Sequence, residues 1–318
     1  LEGVPGAAEA IGAVFDPRVG ALRAEAANYR TAIEYLVERD LPHRDEARNY
    51  EALQELKLPE HFKPYPHQVA ALAAWRKAGC RGLVVLPTGS GKTLMAHMAV
   101  ASCKRSALVV VPTLDLVAQW VNSVKEVLGI DAGIVGGGEH EVRPYTVITY
   151  DSAARHMEHL GNRFGFIIFD ECHHLPGPVY SLIARMTIAP FRLGLTATPE
   201  RLDGGEEMLE QLVGPTAYSS RVSTLAGDVL SPYRAVKILV DLTHDEEARY
   251  QEARKQYLGF CRERRLRLGS PSGWQNFLSE TCRSKVGQSA FEAYLTQKNI
   301  PLNSENKFNA LSDILREH

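Results

Sequence analysis

A glycine-rich segment early in the sequence restricts what this chain can fold into. It reads Leu86-Pro87-Thr88-Gly89-Ser90-Gly91-Lys92-Thr93, after an apolar β-branched run and before a helical pattern. A strand, a glycine turn and a helix in this order form a loop whose backbone N–H groups and helix start surround phosphate oxygens. Alone, such a turn can also be a feature that only packs, and Leu86 stands where the general pattern has its first glycine.

The residues of this segment have separate expected roles. Lys92 would reach the β- and γ-phosphates and act in the reaction, and the hydroxyl of Thr93 would bind Mg²⁺. The remaining residues expected to surround the phosphates are Thr88, Gly89, Ser90 and Gly91. The segment therefore predicts a site for a nucleoside triphosphate with Mg²⁺.

A second motif places two acids at the end of a buried strand pattern. Asp170 and Glu171 follow the run Ile167–Phe169. Asp170 is suited to holding Mg²⁺ through water, and Glu171 is suited to orienting and deprotonating an attacking water. The separation between Lys92 and Asp170 predicts that they lie on adjacent strands of one sheet. We expect His173 to be a polar coupler and not a metal ligand, because no cysteine or acid stands at ligand spacing.

A third motif, Thr196-Ala197-Thr198, ends another strand pattern. The hydroxyls of Thr196 and Thr198 can face a phosphate site without adding bulk. Such a tripeptide means little alone, but it supports the nucleotide site when it follows the other two motifs.

Short β-branched runs alternate with helical patterns from about residue 65 to residue 198. The runs are Leu83–Leu86, Leu108–Val111, Ala132–Val135, Thr146–Thr149, Phe166–Phe169 and Arg192–Leu195. Strands that are apolar on both faces belong in a parallel sheet covered by helices. The fold class predicted is α/β, with a central, mostly parallel sheet.

Composition excludes several classes of protein. Apolar residues make up 45% of the chain and charged residues 23%, with a formal charge of −2, which is ordinary for a globular protein and gives no overall basic signal. No apolar run approaches the ~20 residues needed to span a bilayer, and Leu1–Ala13 lacks a basic signal-peptide start. Five scattered cysteines argue against a disulfide framework. We expect no membrane partner and no secretion, but a cytoplasmic (nucleoid) or nuclear protein.

The flanks of the sheet region differ from it. We expect a small α+β domain at 1–60, the nucleotide domain at 61–230, a strand with a helical segment at 231–303, and a final helix at 304–318. The strand is Val236–Leu242, and the capping box of Thr243 and Glu246 begins a basic helix. Two interpretations of that helix stay open. Either Arg262, Arg264 and Arg265 grip phosphates while Tyr250, Tyr257 and Phe260 stack on bases, or those aromatic residues form a buried stripe.

Together the three motifs resemble motifs I, II and III of superfamily 2 helicases, whose first motor domain has a RecA-like fold. Gln68 resembles the adenine-reading glutamine that precedes motif I. Pro112 and Thr113 resemble motif Ia, which contacts the nucleic-acid backbone in the family. The residues that resemble motif Ib, with the same role, are Thr149, Tyr150 and Asp151.

Within the superfamily, the segments Phe169–Pro176 and Leu195–Gly204 are most similar to the XPB family. That family carries an Arg-Glu-Asp signature, which is Arg201-Leu202-Asp203 here, without the central acid. Arg201 and Asp203 are its remaining candidates for DNA contact. Phe15–Arg18 and Tyr29-Arg30 resemble the small N-terminal domain by which XPB relatives sense distorted DNA, and the basic helix stands where they have a thumb-like insertion.

The resemblance implies an ATP- and Mg²⁺-dependent 3′-5′ DNA helicase or translocase for repair or promoter opening. The expected DNA is a fork, a bubble or a damaged duplex, and the expected partner is a nuclease or a repair or transcription complex. Motifs IV to VI do not follow Ile300, so we expect a second motor domain in the complete protein and weak ATP turnover by this part alone. Two alternatives stay open: an ATP-switched DNA-binding scaffold without processive movement, and an RNA helicase or restriction-type motor.

Overall fold

The computed structural model describes residues 7–53, 56, 58–197, 206–221, 236–266, 273–282 and 284–317. The chain divides into two compact units, Leu1–Tyr233 and Arg234–His318. No helix among the described residues is long and apolar enough to cross a bilayer.

The first unit contains a two-stranded hairpin and a large sheet with helices on both faces. The hairpin strands are β1 (Val14–Asp16) and β2 (Ala21–Arg23). The strands of the large sheet are β3 (Arg81–Val85), β4 (Ala107–Val111), β5 (Gly133–Gly136), β6 (Glu139–His140), β7 (Tyr145–Thr149), β8 (Phe166–Asp170), β9 (Phe191–Thr196) and β10 (Thr216–Ser219). The helices are α1 (Ala7–Ala10), α2 (Tyr29–Glu38), α3 (Pro66–Lys77), α4 (Lys92–Cys103), α5 (Leu114–Leu128), α6 (Tyr150–Leu160), α7 (Ser181–Arg185) and α8 (Glu206–Leu212).

The large sheet confirms the predicted fold class. Its strand order is β10-β3-β9-β8-β4-β7-β5-β6, and every neighbouring pair is parallel except β5 with β6. Alternate residues of a strand enter opposite cores, as Ile168 and Ile167 of β8 do. All six predicted runs overlap strands of this sheet. Because β-branched residues buried on both faces leave no solvent side, the helices must cover both faces.

The predicted adjacency of the first two motifs is wrong. The loop that begins with Leu86 follows β3 and Asp170 ends β8, but β9 lies between these strands. Its register pairs Val85 with Thr196 on one side, and Asp170 with Leu195 on the other. The third motif therefore ends the strand between the first two, and the carboxyl ends of three neighbouring parallel strands carry the candidate nucleotide site.

The small N-terminal elements pack on the amino-terminal side of the sheet. Arg30 of α2 donates a hydrogen bond from Nη1 to the carbonyl oxygen of Gly79 at 2.6 Å, and forms an ion pair with Glu34. In the hairpin, Asp16 accepts hydrogen bonds from Arg18 and Arg23, which hold the pKa of its carboxyl well below the ordinary value. Asp16 thus connects β1 to the turn and to β2 of the hairpin.

The second unit is helical, with helices α9 (His244–Glu263), α10 (Gly273–Thr281), α11 (Lys285–Leu302) and α12 (Glu305–Glu317). The predicted capping box is present, since Thr243 and Glu246 exchange hydrogen bonds at the start of α9. The strand predicted at Val236–Leu242 is wrong, because residues 236–243 form neither helix nor strand. Leu239 is 82% exposed, and an apolar run becomes a strand only where a neighbouring strand pairs with it.

Candidate active site

The phosphate-binding loop connects β3 to α4 in the conformation that its glycines permit. Gly89 and Gly91 have φ values of +80° and +78°, in the left-handed region that residues with a Cβ rarely adopt. At its start, the N–H of Leu86 donates to the carbonyl oxygen of Thr196 at 3.0 Å, which ties the loop to β9. Lys92 is the first residue of α4, and its Nζ lies 3.3 Å from the carbonyl oxygen of Leu86.

Two side chains from the start of α3 form hydrogen bonds with the main chain of this loop. His67 Nε2 donates to the carbonyl oxygen of Ser90 at 2.8 Å. Gln68 Nε2 donates to the carbonyl oxygens of Ser90 and Gly91, each at 3.1 Å, while Gln68 Oε1 accepts from the N–H of Tyr65 at 2.9 Å. A Cβ on Gly91 would collide with the Gln68 amide. Gln68, expected to read adenine, is 1% exposed and supports the loop here.

Sequence reasoning gave no role to His67, although it stands beside Gln68 in the same motif. Sequence reasoning also placed Ser90 among the residues that surround the phosphates. Ser90 is 1% exposed, and its hydroxyl donates to the carbonyl oxygen of Pro87 at 2.7 Å. Ser90 therefore shapes the loop, because a buried hydroxyl must find a partner within the protein. Thr88 and Gly89 are exposed, and Thr93 is half-buried at the first turn of α4.

Asp170 is the buried acid of the site, with 7% of its surface exposed. Its Oδ2 accepts from Trp120 Nε1 at 2.8 Å, and its Oδ1 accepts from the N–H of Glu171 at 3.1 Å. Burial and the neighbouring Glu171 charge raise the pKa of this carboxyl, while the Trp120 hydrogen bond, the Glu171 N–H and the Lys92 ammonium oppose the rise. The two donors and the nearby cation favour the ionised form that a metal ligand needs.

Glu171, the expected base, has a left-handed backbone with φ of +47°. This conformation costs a non-glycine residue roughly 1–2 kcal/mol, and it turns the chain sharply at the end of β8. Its Oε2 lies 3.3 Å from His173 Nδ1, which in turn lies 3.3 Å from the hydroxyl of Thr196. His173 thus lies between the second and third motifs, in the position that a polar coupler requires.

The donor set suits Mg²⁺ better than a softer metal. Thr93 offers a hydroxyl from the first turn of α4, which follows β3, and Asp170 offers a carboxylate from the end of β8 on the same sheet edge. Within the described ranges, no three His, Cys, Asp or Glu side chains cluster as a metal site. Mg²⁺ prefers one or two protein oxygens and completes its octahedron with water and substrate phosphate.

The candidate nucleic-acid contacts lie on the next two strands of the same edge. Thr113 follows β4, is exposed, and caps α5 by accepting from the N–H of Leu116 at 3.3 Å. Thr149 ends β7, is 8% exposed, and caps α6 by accepting from the N–H of Ser152 at 3.2 Å. Pro112 is half-buried. Asp151 is exposed, and its Oδ1 accepts from the Tyr180 hydroxyl at 2.7 Å.

The expectation that Tyr150 contacts nucleic acid is wrong. Only 2% of its surface is exposed, and its hydroxyl donates to the carbonyl oxygen of Asp170 at 3.1 Å. As the first residue of α6 it turns back onto the sheet and enters the core beside β8. A buried phenol needs a hydrogen-bond partner, and the end of β8 supplies one.

Comparisons with known proteins show the family of the chain. Residues 1–47 match the model of the xeroderma pigmentosum group B helicase damage recognition domain, and residues 61–201 match the model of the type III restriction enzyme, res subunit. The DNA 3′-5′ translocase XPB2 of Sulfurisphaera tokodaii is 38% identical over 311 residues, which cover 98% of this chain and 70% of that protein. The chain belongs to the XPB family.

Other proteins are similar to only part of this chain. The XPB/SSL2 helicase/translocase subunit of general transcription and DNA repair factor IIH from Saccharomyces cerevisiae is 27% identical over 212 residues, which cover 59% of this chain and 24% of that protein. The structure of the Pyrococcus furiosus Hef helicase domain has a TM-score of 0.44 at 22% identity, covering 75% of this chain and 58% of that one. The resemblance to the XPB family is confirmed by the match that spans nearly the whole chain.

The remaining predicted site residues lie after Thr196, in or beyond the third motif, and near the end of the basic helix α9. Thr198, Arg201 and Asp203 lie outside the described residues. Arg262 is exposed in the last turn of α9, and Arg264 and Arg265 are exposed just beyond it. Arg264 Nη1 lies 3.4 Å from Glu280 Oε2.

Two of the three aromatic residues of the basic helix, Tyr257 and Phe260, form a buried stripe, whereas Tyr250 is half-buried. Tyr257 and Phe260 are 8% and 4% exposed, and they pack with Phe277 in the core of the second unit. Stacking of bases on Tyr257 or Phe260 is therefore wrong, because helical spacing turns both inward. The exposed residues Arg262, Arg264 and Arg265 remain candidates for phosphate contact.

Proposed function

We propose that this chain is the nucleotide-binding part of an ATP-dependent 3′-5′ DNA translocase or helicase of the XPB family, acting in DNA repair or promoter opening. The observation that carries the proposal is the order of motifs along one sheet edge. Motifs I, III and II end β3, β9 and β8, and motifs Ia and Ib follow β4 and β7. The order supports a nucleotide site and a nucleic-acid surface side by side along the carboxyl ends of five consecutive parallel strands.

Each side chain of the site has a separate proposed role in ATP hydrolysis. Bound Mg²⁺ would neutralise phosphate charge. Lys92 would hold the β- and γ-phosphates, with the loop amides around Gly89 and Gly91 as further donors. Glu171 would orient and deprotonate the attacking water, and His173 would fix the position of Glu171. Thr93 and Asp170 would hold the metal, and Thr196 would connect the phosphate site to His173.

DNA is the proposed partner, as a fork, a bubble or a damaged duplex. The names of the archaeal and yeast relatives support this choice, and the latter names a transcription and repair factor. The proposed protein partner is a nuclease or a repair or transcription complex. The proposed location of the protein is the nucleoid or the nucleus, where its DNA lies. The chain spans 70% of the archaeal relative, so the activity of the whole protein belongs to this proposal.

The test uses the full-length protein and a triplex- or streptavidin-displacement assay on DNA. A translocase hydrolyses ATP in response to DNA and removes the block, whereas a scaffold hydrolyses ATP and leaves it in place. Lys92→Ala should abolish both nucleotide binding and displacement. An ATPase response to RNA alone would contradict the proposal, and so would displacement that survives Lys92→Ala.

A further inference from the structure

Two buried aromatic residues donate hydrogen bonds to Asp170 from the protein interior. Trp120 donates its indole N–H to Oδ2 at 2.8 Å, and Tyr150 donates its hydroxyl to the main-chain carbonyl oxygen at 3.1 Å. Both are fully packed, with 1% and 2% of their surfaces exposed. One bond fixes the rotation of the carboxylate, and the other fixes the end of the strand that carries it.

These residues come from the helices that begin at the candidate nucleic-acid contacts. Trp120 lies about two turns into α5, whose first turn is capped by Thr113. Tyr150 is the first residue of α6, directly after its cap, Thr149. Each helix thus connects one candidate nucleic-acid contact, Thr113 or Thr149, to Asp170 through a single hydrogen-bonding side chain.

Trp120 is itself held in place. The ring of His97 packs edge-on against it, with centroids 5.4 Å apart, and His97 Nε2 lies 2.9 Å from the hydroxyl of Ser123 on α5. His97 is fully buried in α4, the helix that begins at Lys92. Because His97 contacts both Trp120 and Ser123, the indole is held between α4 and α5, and a displacement of either helix changes its packing.

We propose that Trp120 and Tyr150 are positioning residues that hold Asp170 for Mg²⁺ and connect nucleic-acid contact at the starts of α5 and α6 to the metal. This inference rests on the proposed function of the site. A group held within about 0.5 Å of its productive position binds better than one that must be ordered on binding. Contact with a DNA backbone at Thr113 or Thr149 would shift α5 or α6, and the two donors would carry that shift to Asp170.

The competing explanation is that both residues only fill the core. Trp75 of α3 offers the matched comparison, because it is 0% exposed and its indole N–H donates to the carbonyl oxygen of Arg192 at 2.9 Å. Replacing either indole with phenylalanine removes one buried hydrogen bond and similar volume. Only Trp120 has a metal-binding carboxylate as its acceptor.

The first experiment measures nucleotide affinity without turnover. A fluorescent ADP analogue is titrated into full-length protein with and without Mg²⁺, and the ratio of the two dissociation constants gives the contribution of the metal. We expect Trp120→Phe to reduce this ratio about tenfold, as loss of a hydrogen bond to a charged acceptor does. Trp75→Phe should leave the ratio unchanged while destabilising the fold to a similar degree.

The second experiment tests the connection to DNA with Tyr150→Phe, which preserves the ring. ATPase activity is measured with and without saturating DNA, and DNA affinity is measured separately. We expect the stimulation by DNA to fall several-fold while DNA affinity stays at the wild-type value. Unchanged stimulation would refute the connection, and this variant keeps the test open if Trp120→Phe does not fold.

The two failures can be told apart. If Mg²⁺ does not strengthen nucleotide binding even in the wild-type protein, the proposed function of the site fails. If Mg²⁺ strengthens binding in the wild type, and Trp120→Phe behaves as Trp75→Phe does, the proposed function stands and the positioning role is refuted.

Discussion

His173 Nδ1 lies 3.3 Å from a carboxylate oxygen of Glu171 and 3.3 Å from the hydroxyl oxygen of Thr196. One imidazole therefore joins the expected base to the strand that ends beside the phosphate-binding loop. Glu171 is about one-third exposed, so packing alone does not fix its carboxylate. The hydrogen-bonding partner has to do so.

The first prediction concerns this imidazole. His173→Ala should lower ATP hydrolysis by the full-length protein about ten- to a hundredfold, because a hydrogen bond to a charged group contributes roughly 1.5–3 kcal/mol. Nucleotide affinity should change little, since His173 is not expected to touch phosphate. Steady-state ATPase rates and equilibrium binding of an ATP analogue provide the two measurements. A variant that loses affinity and keeps its rate would contradict the positioning role.

The second prediction separates binding from chemistry at Glu171. Glu171→Gln keeps the shape of the side chain but cannot take a proton, so we expect hydrolysis to fall at least about a hundredfold while nucleotide binding persists. Pre-steady-state ATP hydrolysis and filter binding of ATP on the full-length protein measure these effects. Glu158→Gln, at an exposed glutamate of α6, is the matched control and should leave both unchanged. Normal hydrolysis by Glu171→Gln would remove it as the base.

The third prediction concerns His97, which burial keeps neutral. Burial lowers its pKa from 6.5 to about 4, so on acidification the unfolded chain takes up a proton before the folded protein does. The resulting stability is complete above pH 6.5 and is lost as the pH falls toward 4, with about 2 kcal/mol lost between pH 7 and pH 5.

His97→Gln removes this titration and keeps a hydrogen-bonding group that can reach Ser123. Urea unfolding at pH 7 and pH 5 should show a smaller loss of stability in the variant than in the wild type. The carboxylates that also respond to acid are common to both proteins, so the difference isolates His97. Equal losses would show that this imidazole does not titrate differently in the folded state.

The sequence sufficed for the parts of the site that rest on the main chain. A left-handed turn at Gly89 and Gly91 requires residues without a Cβ, and an acid at the end of an apolar strand pattern lies at the sheet edge. These features are local, and the six strand runs of the large sheet and the glycine turn were predicted correctly. The order of strands is not local, so the insertion of β9 between β3 and β8 was missed.

The hydrogen bonds of Trp120 and Tyr150 to Asp170 were also not predicted, because they too depend on residues far apart in the sequence. Trp120 lies in an amphipathic helix and reads as core, which it is. Its role depends on which acceptor faces the indole N–H, and that acceptor is 50 residues away in the sequence. Tyr150 was predicted as a surface contact from its motif, although its position at the first turn of α6 directs it inward.

The last prediction concerns Arg262, Arg264 and Arg265, all exposed near the end of α9. Replacing the three with alanine should weaken DNA binding and reduce the slope of log affinity against log salt by up to about 3, because each phosphate contact contributes about 0.9. The matched lysine variant keeps the charge and should keep most of the slope. Fluorescence anisotropy on single-stranded, duplex and forked DNA over a salt series measures both effects. If the alanine variant keeps the wild-type slope, these arginines do not contact phosphate.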